Sequence, residues 1–324
     1  FNPDVELETL SSIYLNGSKN MDHDGMFAPF YLDFISAGNN LTMEMFNKLI
    51  THQELRFINN VNPTNFTNLL RFTALKIHLL SNCLDTGSTT HLEQQLVQLL
   101  VCTRILTKIM PIYLEKKHRT DIFWTRDCGK IFGELVVSPD EDSTAASTIQ
   151  PLPPLGALLI KACTRLLFVE GFTLPSSGSA GSMTKLLWEN GVSTQDFSYH
   201  AQTPKVDSNR LEIINLLLAL CSSDLYQTGD SVLNGSGHAG GGNKFLYYLS
   251  MLSPEYDIIC LVASIVNLTC RYCSNYHEET TNPYQNFGFK NSQQQQLSSL
   301  RLSLVQSSLQ LLNIMCFNCH SCRL

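Results

Sequence analysis

Thr90-His-Leu-Glu-Gln-Gln-Leu-Val-Gln-Leu-Leu-Val-Cys-Thr-Arg-Ile-Leu-Thr-Lys-Ile-Met-Pro111 decides the fold class. Leu92, Leu96, Leu99, Ile105, Leu106 and Ile109 return at three- or four-residue steps, with Cys102 between them. That period belongs to one face of an α-helix, whereas a half-buried strand would alternate every second residue. Pro111 lacks a backbone N–H and is expected to interrupt or kink the helix.

Outward from this helix the same period recurs. Met43, Phe46, Leu49 and Ile50 share a face behind Thr42, a candidate cap. Leu69, Phe72, Ile77 and Leu80 follow the turn signal Asn62-Pro63-Thr64. Further helices are expected at 155–170, 208–226, 243–252, 257–272 and 297–317. Only short runs such as Leu135 to Val137 look strand-like. The chain is therefore expected to be all-α, an irregular helical array or α-solenoid with long polar loop insertions. No fixed repeat period appears, so the solenoid reading rests on helix density alone.

The insertions are readable from composition. Residues 138–153 are acidic and then rich in Ser, Thr and Pro; 175–185 are mostly Ser and Gly; 229–242 are Gly-rich; 280–296 end in a four-glutamine run. Such stretches bury too little apolar surface to offset chain entropy and are expected to be loops. Residues 1–27 form a poorly defined N-terminal segment, and 28–324 the helical scaffold region.

Charged residues make up 15% of the chain, against roughly 25% in ordinary globular proteins. The net charge of −6 and the thin spread of Lys and Arg argue against a nucleic-acid footprint. The densest basic cluster, Lys116-Lys-His-Arg119, reads as a solvated helix end. Eleven cysteines are present, an odd number. Cys102, Cys163, Cys221 and Cys260 sit in apolar periodic stretches, where a reduced thiol behaves as a small hydrophobe. A secreted disulfide framework would favour an even count in a small fold, so the expected compartment is reducing cytosol. The sequons at Asn16, Asn40, Asn65, Asn234 and Asn267 are what an Asn-, Ser- and Thr-rich chain produces by chance. No stretch is expected to approach the roughly 18 apolar residues of a membrane span; the best, Ile258 to Leu268, is interrupted by Ser264 and Asn267. Phe1 to Leu10 carries acids and no basic signal-peptide region. The opening residue is Phe rather than Met, and the natural start is expected to lie upstream.

Motifs that could carry chemistry are few. Gly235-Ser-Gly237-His-Ala-Gly240 spells a dinucleotide fingerprint, but a helix end and a polar loop lead into it instead of a strand. Cys270 with Cys273, and Cys316 with Cys319 near His320 and Cys322, have the spacing of zinc-chelating pairs. The pairs stand far apart in sequence, and Cys270 and Cys316 continue apolar helical faces, so they are weak metal candidates. Asp140, Glu141 and Asp142 lie in an expected loop. No histidine falls in a nucleophile turn, and there is no H-E-x-x-H and no Walker loop. No catalytic residue, cofactor or small-molecule substrate is expected.

Several segments, in order, resemble the N-terminal region of the high-temperature-induced dauer-forming protein family, which is distantly related to dymeclin. They are Cys102-Thr-Arg-Ile-Leu-Thr-Lys-Ile-Met-Pro111, Ile122-Phe-Trp124, Pro154-Leu-Gly-Ala-Leu-Leu and Leu166-Leu-Phe168 with Gly171-Phe-Thr-Leu174. Trp188-Glu-x-Gly-Val192 follows, then Asn209-Arg-x-Glu212 leading into Leu216-Leu-Leu218 and Leu225-Tyr226. The similarity covers roughly residues 28 to 315, and the polar tracts look like those of the fungal branch. It implies a peripheral scaffold of the Golgi and trans-Golgi region in protein sorting or secretory-vesicle formation, with other proteins as partners. It also implies an N-terminal Met-Gly myristoylation signal, which this chain lacks, so a longer protein is expected. Two rivals to the scaffold reading are an adaptor that recruits a ubiquitin-system enzyme and a zinc- or thiol-dependent enzyme. Trp124, Trp188, Glu189, Asn209, Arg210 and Glu212 are the polar and aromatic residues of the resembled motifs. They are expected either to pin helix contacts or to line a partner-binding groove. Arg210 stands near the expected start of a very apolar helix, where a cation opposes the helix dipole. It therefore needs an acidic partner, for which Glu189 is the candidate.

Overall fold

The computed structural model describes residues 36, 42–49, 51–85, 92–115, 120–124, 153–175, 185–189, 191, 197–198, 203–222, 243–281 and 292–318. Among these the architecture is all-α. The helices are α1 (Met43–Leu49), α2 (His52–Val61), α3 (Pro63–Asp85), α4 (Leu92–Leu114), α5 (Leu155–Leu166), α6 (Pro204–Cys221), α7 (Lys244–Tyr247), α8 (Glu255–Thr281) and α9 (Ser292–Asn318). A 3-10 turn spans Thr120–Phe123, and α7 runs on as a π-helical turn, Tyr248–Leu252. The extended structure among the described residues amounts to short contacts, chiefly a parallel pairing of Lys185–Leu186 (β1) with Phe197–Ser198 (β2). The N-terminal segment, the loop 229–242, the glycine fingerprint, Leu135 to Val137 and the basic and acidic clusters all lie outside the described residues.

The helix boundaries follow local chemistry. The Thr42 hydroxyl accepts from the Met45 N–H at 3.3 Å. Thr51 and Glu54 form a reciprocal capping box at the start of α2. Asn62 ends α2, and its side chain accepts from the Asn65 N–H at 3.0 Å, so one residue closes α2 and opens α3 ahead of Pro63.

Four expectations change. Pro111 does not end α4, which continues to Leu114; the Glu115 N–H returns to the Pro111 carbonyl at 3.2 Å. Residues Ser292 to Gln296 are helical rather than loop, because glutamine is an unbranched helix former and its polarity alone does not break a helix. α6 begins at Pro204 with Thr203 as its cap, so Arg210 sits in the second turn and not the first. Finally, Glu93–Leu114 and Glu255–Ser274 are each long and apolar enough to cross a membrane by length and composition, which a count of uninterrupted apolar residues misses. Within the fold 61% of the first window is buried but only 33% of the second.

The contacts divide the chain into two compact units. Unit 1 comprises 1–80, 93–159 and 226–236. Its core includes Phe66, Leu69, Leu70, Leu99, Cys102 and Tyr113, with Phe123 edge-on to Tyr113 at 6.2 Å. Unit 2 comprises 81–92, 160–225 and 237–324. In it α9 packs on both α6 and α8, and α7 packs on α6. Cys102, Cys163, Cys221 and Cys260 are buried free thiols, as their apolar settings imply. Burial pushes the Cys102 and Cys221 thiols up to about 12, which removes the thiolate that nucleophilic chemistry would need.

Candidate functional site

The motif residues of unit 2 converge on one buried cluster, built around a turn. After α5 the chain reverses through Gly171, whose φ of 75° is left-handed and suits glycine. The Thr173 hydroxyl donates to the Leu166 carbonyl at 2.5 Å and accepts from the Val169 N–H at 3.1 Å, tying the turn to the helix end. The carbonyls of Phe172 and Thr173 then meet α6. Asn209 Nδ2 donates to the first at 2.8 Å, and Arg210 Nε donates to the second at 2.7 Å.

Trp188 fills the space beside this junction and is fully buried. Its indole N–H donates to the Leu167 carbonyl at 2.8 Å, and its ring stacks on Phe168 at 6.1 Å. The Arg210 guanidinium lies over the same ring, 5.0 Å from its centre. α8 holds the segment from the other side. The Trp188 N–H donates to Ser264 Oγ at 3.4 Å, and Asn267 Nδ2 donates to the Glu189 carbonyl at 3.1 Å. A Cβ on Gly191 would lie 2.6 Å from Asn267 Oδ1, so this close approach requires glycine.

The charges form a chain of four. Arg210 Nη1 pairs with Asp207 Oδ1 at 3.0 Å, one helical turn earlier. Asp207 Oδ2 accepts from Arg301 Nη1 of α9 at 3.1 Å. The other end of the Arg301 fork pairs with Glu189. The expected Arg210–Glu189 contact is thus replaced by a bridge through Asp207 and Arg301. Glu189 remains close enough to Arg210 to feel its charge, but its hydrogen-bonded cation comes from α9. Burial pushes the Glu189 carboxyl above the usual range, with Arg301 opposing the shift. Burial also lowers Arg210 to about 10, opposed by Asp207 and Glu189, so the guanidinium stays charged at neutral pH. Two cations and two anions balance, which is the condition for burying charge without a large penalty.

Glu212 is half-buried two positions beyond Arg210, on a different side of α6. Trp124 belongs to unit 1, where its indole carbons lie 2.8–3.2 Å from where a Gly156 Cβ would stand. The glycine of the Pro154-Leu-Gly motif thus makes room for the tryptophan of the Ile122-Phe-Trp motif. Sequence reasoning missed Thr173, Asp207, Ser264, Asn267 and Arg301. One signal was available: Arg301 is the only charged residue in the whole span 292–318.

Distance separates the two cysteine pairs of the zinc reading. Asn267 of α8 and Arg301 of α9 both contact Glu189, which sets those two positions side by side. Cys270 is one turn from Asn267, while Cys316 stands about 22 Å along α9 from Arg301 at 1.5 Å per residue. Ligands of one zinc lie within about 2.3 Å of the metal, so Cys270 and Cys273 cannot share an ion with Cys316. Both Cys270 and Cys316 are exposed; Cys319 lies outside the described residues. No group of three potential ligands forms among the described residues.

With this geometry in place, comparison with known proteins identifies the chain's kin. A sequence profile described as high-temperature-induced dauer-formation protein, Hid1, matches residues 38–319. The chain belongs to the Hid1 family. This Hid1-family chain is 28% identical to Protein ECM30 of Saccharomyces cerevisiae over 327 residues, covering 96% of itself and 22% of that protein. It is 26% identical to human Protein HID1 over 235 residues, covering 69% of itself and 27% of that protein. Over 113 residues it is 33% identical to the Ubp5-interacting protein ftp105 of Schizosaccharomyces pombe, which is 35% of this chain and 11% of that protein. The chain therefore spans about a quarter of the length of its yeast and human relatives. No solved structure matches it.

Proposed function

We propose that this Hid1-family chain is part of a non-catalytic helical adaptor in Golgi or trans-Golgi protein sorting and secretory-vesicle trafficking. Family membership over residues 38–319 carries the reading. The cluster's chemistry supports it: Trp188, Asn209, Arg210 and Glu189 spend their polar groups on backbone carbonyls and on one another, which is the work of a helix junction. Partners are other proteins, met through helical surfaces. The protein sits in the cytoplasm, peripheral on Golgi membranes, attached through a myristoylated N-terminus with a second contact, since one acyl chain anchors only marginally. Affinity capture with mass spectrometry, alongside fractionation of Golgi membranes, tests this. Co-fractionation with Golgi markers and enrichment of sorting proteins is the expected result. A nuclear or extracellular protein, or one purifying with stoichiometric zinc and hydrolytic activity, would overturn it.

A second reading, an adaptor that recruits a ubiquitin-system enzyme for cargo sorting, is favoured by the fission-yeast relative named for its interaction with Ubp5. Capture dominated by an enzyme of that system would put this reading first.

A further inference from the structure

α8 is apolar on two sides. On one, Leu261, Ile265 and Leu268 are buried beside Ser264 and Asn267, which hold the Trp188–Glu189 segment, and α9 packs along the helix. On the other, Tyr256, Ile259, Val262, Val266, Cys270 and Cys273 follow three- and four-residue steps, the spacing of a packed face. At 3.6 residues per turn, Ala263 is the only further residue within about 60° of that line between Tyr256 and Cys273. No polar side chain therefore interrupts the stripe. The outward side of α9 is different in kind, because there Leu302 and Leu309 stand among exposed Gln306, Gln310 and Asn313.

The stripe is nevertheless open. Tyr256 is 46% exposed and Ile259 52%, Val262, Ala263 and Val266 are half-buried, and both cysteines are exposed. α4 is comparably apolar, yet 61% of its window is buried against 33% for α8. Contiguous apolar surface of this kind is rare on a soluble monomer. Stacked helical layers account for it: an inner layer is apolar on both sides, whereas a terminal layer ends in a polar outer face. Surfaces for exchangeable partners are also no more apolar than the rest of a protein, so an uncharged stripe fits permanent cover better.

The relatives indicate where that cover comes from. The matched part is 22% of the yeast protein and 27% of the human one, so about three quarters of each lies elsewhere in the same polypeptide. A tethered helix meets the stripe at an effective concentration on the order of millimolar, which a separate molecule at cellular levels does not match.

We propose that the outer face of α8 is an internal seam of the Hid1-family polypeptide, covered by an amphipathic helix from outside residues 1–324. That helix lies along about 25 Å of α8, from Tyr256 to Cys273 at 1.5 Å per residue. Other proteins are then met on surfaces other than this stripe. The inference rests on family membership and on the stripe, not on the Golgi reading.

The test uses a full-length Hid1-family polypeptide carrying this sequence, with Tyr256→benzoylphenylalanine as a photo-cross-linker that keeps an aromatic side chain on the stripe. Irradiation should join position 256 to a residue outside 1–324 of the same polypeptide, read by peptide mass spectrometry. A cross-link to a second copy, to another protein, to lipid or within residues 1–324 would overturn the proposal, as would a folded protein that forms none. The unsubstituted polypeptide supplies a second readout. Its thiols at Cys270 and Cys273 should react with a maleimide at least about tenfold more slowly than in the unfolded chain, as cover by a packed helix requires. That protection should survive about a hundredfold dilution, because a tethered cover does not depend on concentration. Thiols that react at the unfolded rate, or that lose protection on dilution, would overturn the proposal even if the substituted protein failed to fold.

Discussion

Each unit contains an arginine forked onto carboxylate, and the two sites are energetically unlike. In unit 1, Arg56 grips Glu115 with three hydrogen bonds of 2.6–3.1 Å, yet the arginine side chain is 51% exposed. In unit 2, Arg301 bridges Glu189 and Asp207 with its own side chain 20% exposed and theirs almost wholly buried. Water already solvates the first pair and screens it, so its geometry contributes little. The second has no water to fall back on, so any member that is lost leaves an uncompensated charge. Hydrogen-bond geometry alone would rank the two sites the wrong way round.

Mutations can break this comparison. Arg210→Met should have the largest effect, about 3–5 kcal/mol of lost stability by chemical denaturation, because it leaves two buried carboxylates to one cation, strips the Thr173 carbonyl of its donor and uncovers the Trp188 face. A loss below about 1 kcal/mol would mean that the cluster is as solvent-screened as the surface pair.

Next in size is Gly156→Ala in unit 1. The added methyl meets the Trp124 ring, and overpacking of this kind costs about 1–3 kcal/mol, partly offset by alanine's better helix propensity. Trp124→Leu in the same chain should relieve it. An additive double variant would show that the two residues do not compete for space.

Double-mutant cycles sharpen the bridge. Coupling between Arg301→Met and Glu189→Gln should exceed that between Arg210→Met and Glu189→Gln, the latter falling near or below about 0.5 kcal/mol. Equal couplings would restore a direct Arg210–Glu189 contact.

Glu189→Gln alone should cost about 1–3 kcal/mol at neutral pH, since the amide keeps an acceptor for Arg301 but leaves two cations to the single carboxylate of Asp207. The sign of its pH dependence follows from the raised carboxyl. The folded chain holds the Glu189 proton more tightly than the unfolded chain. The group's contribution is therefore fully present below the ordinary value of 4.5 and is lost as pH rises through the higher folded value. Across that window the Gln variant should gain on the native protein; a native protein that gains instead would mean that pairing with Arg301 outweighs burial and holds the folded carboxyl below its ordinary value. The smallest effect belongs to Arg56→Met, below about 1 kcal/mol and shrinking with added salt.

Local chemistry was legible in the residues. Helices announce themselves through a 3.6-residue apolar period, and Leu69, Phe72, Ile77 and Leu80 are buried as that period requires. The thiols at Cys102, Cys163, Cys221 and Cys260 were equally readable, because an apolar neighbourhood in sequence on a buried helix is an apolar neighbourhood in space. Ends were harder. The glutamine run read as loop from its polarity, and the start of α6 was missed although Thr203-Pro204 is an N-terminal signature. Partnerships lay beyond the sequence altogether. That Arg210 needs an anion follows from an apolar helix around a guanidinium; that Asp207 supplies it, and that Glu189 turns to Arg301 more than a hundred residues away, follows only from α9 packing on α6. Periodicity is a property of neighbours along the chain. Charge pairing in a dry interior depends on which helices meet, and only the assembled tertiary structure decides that.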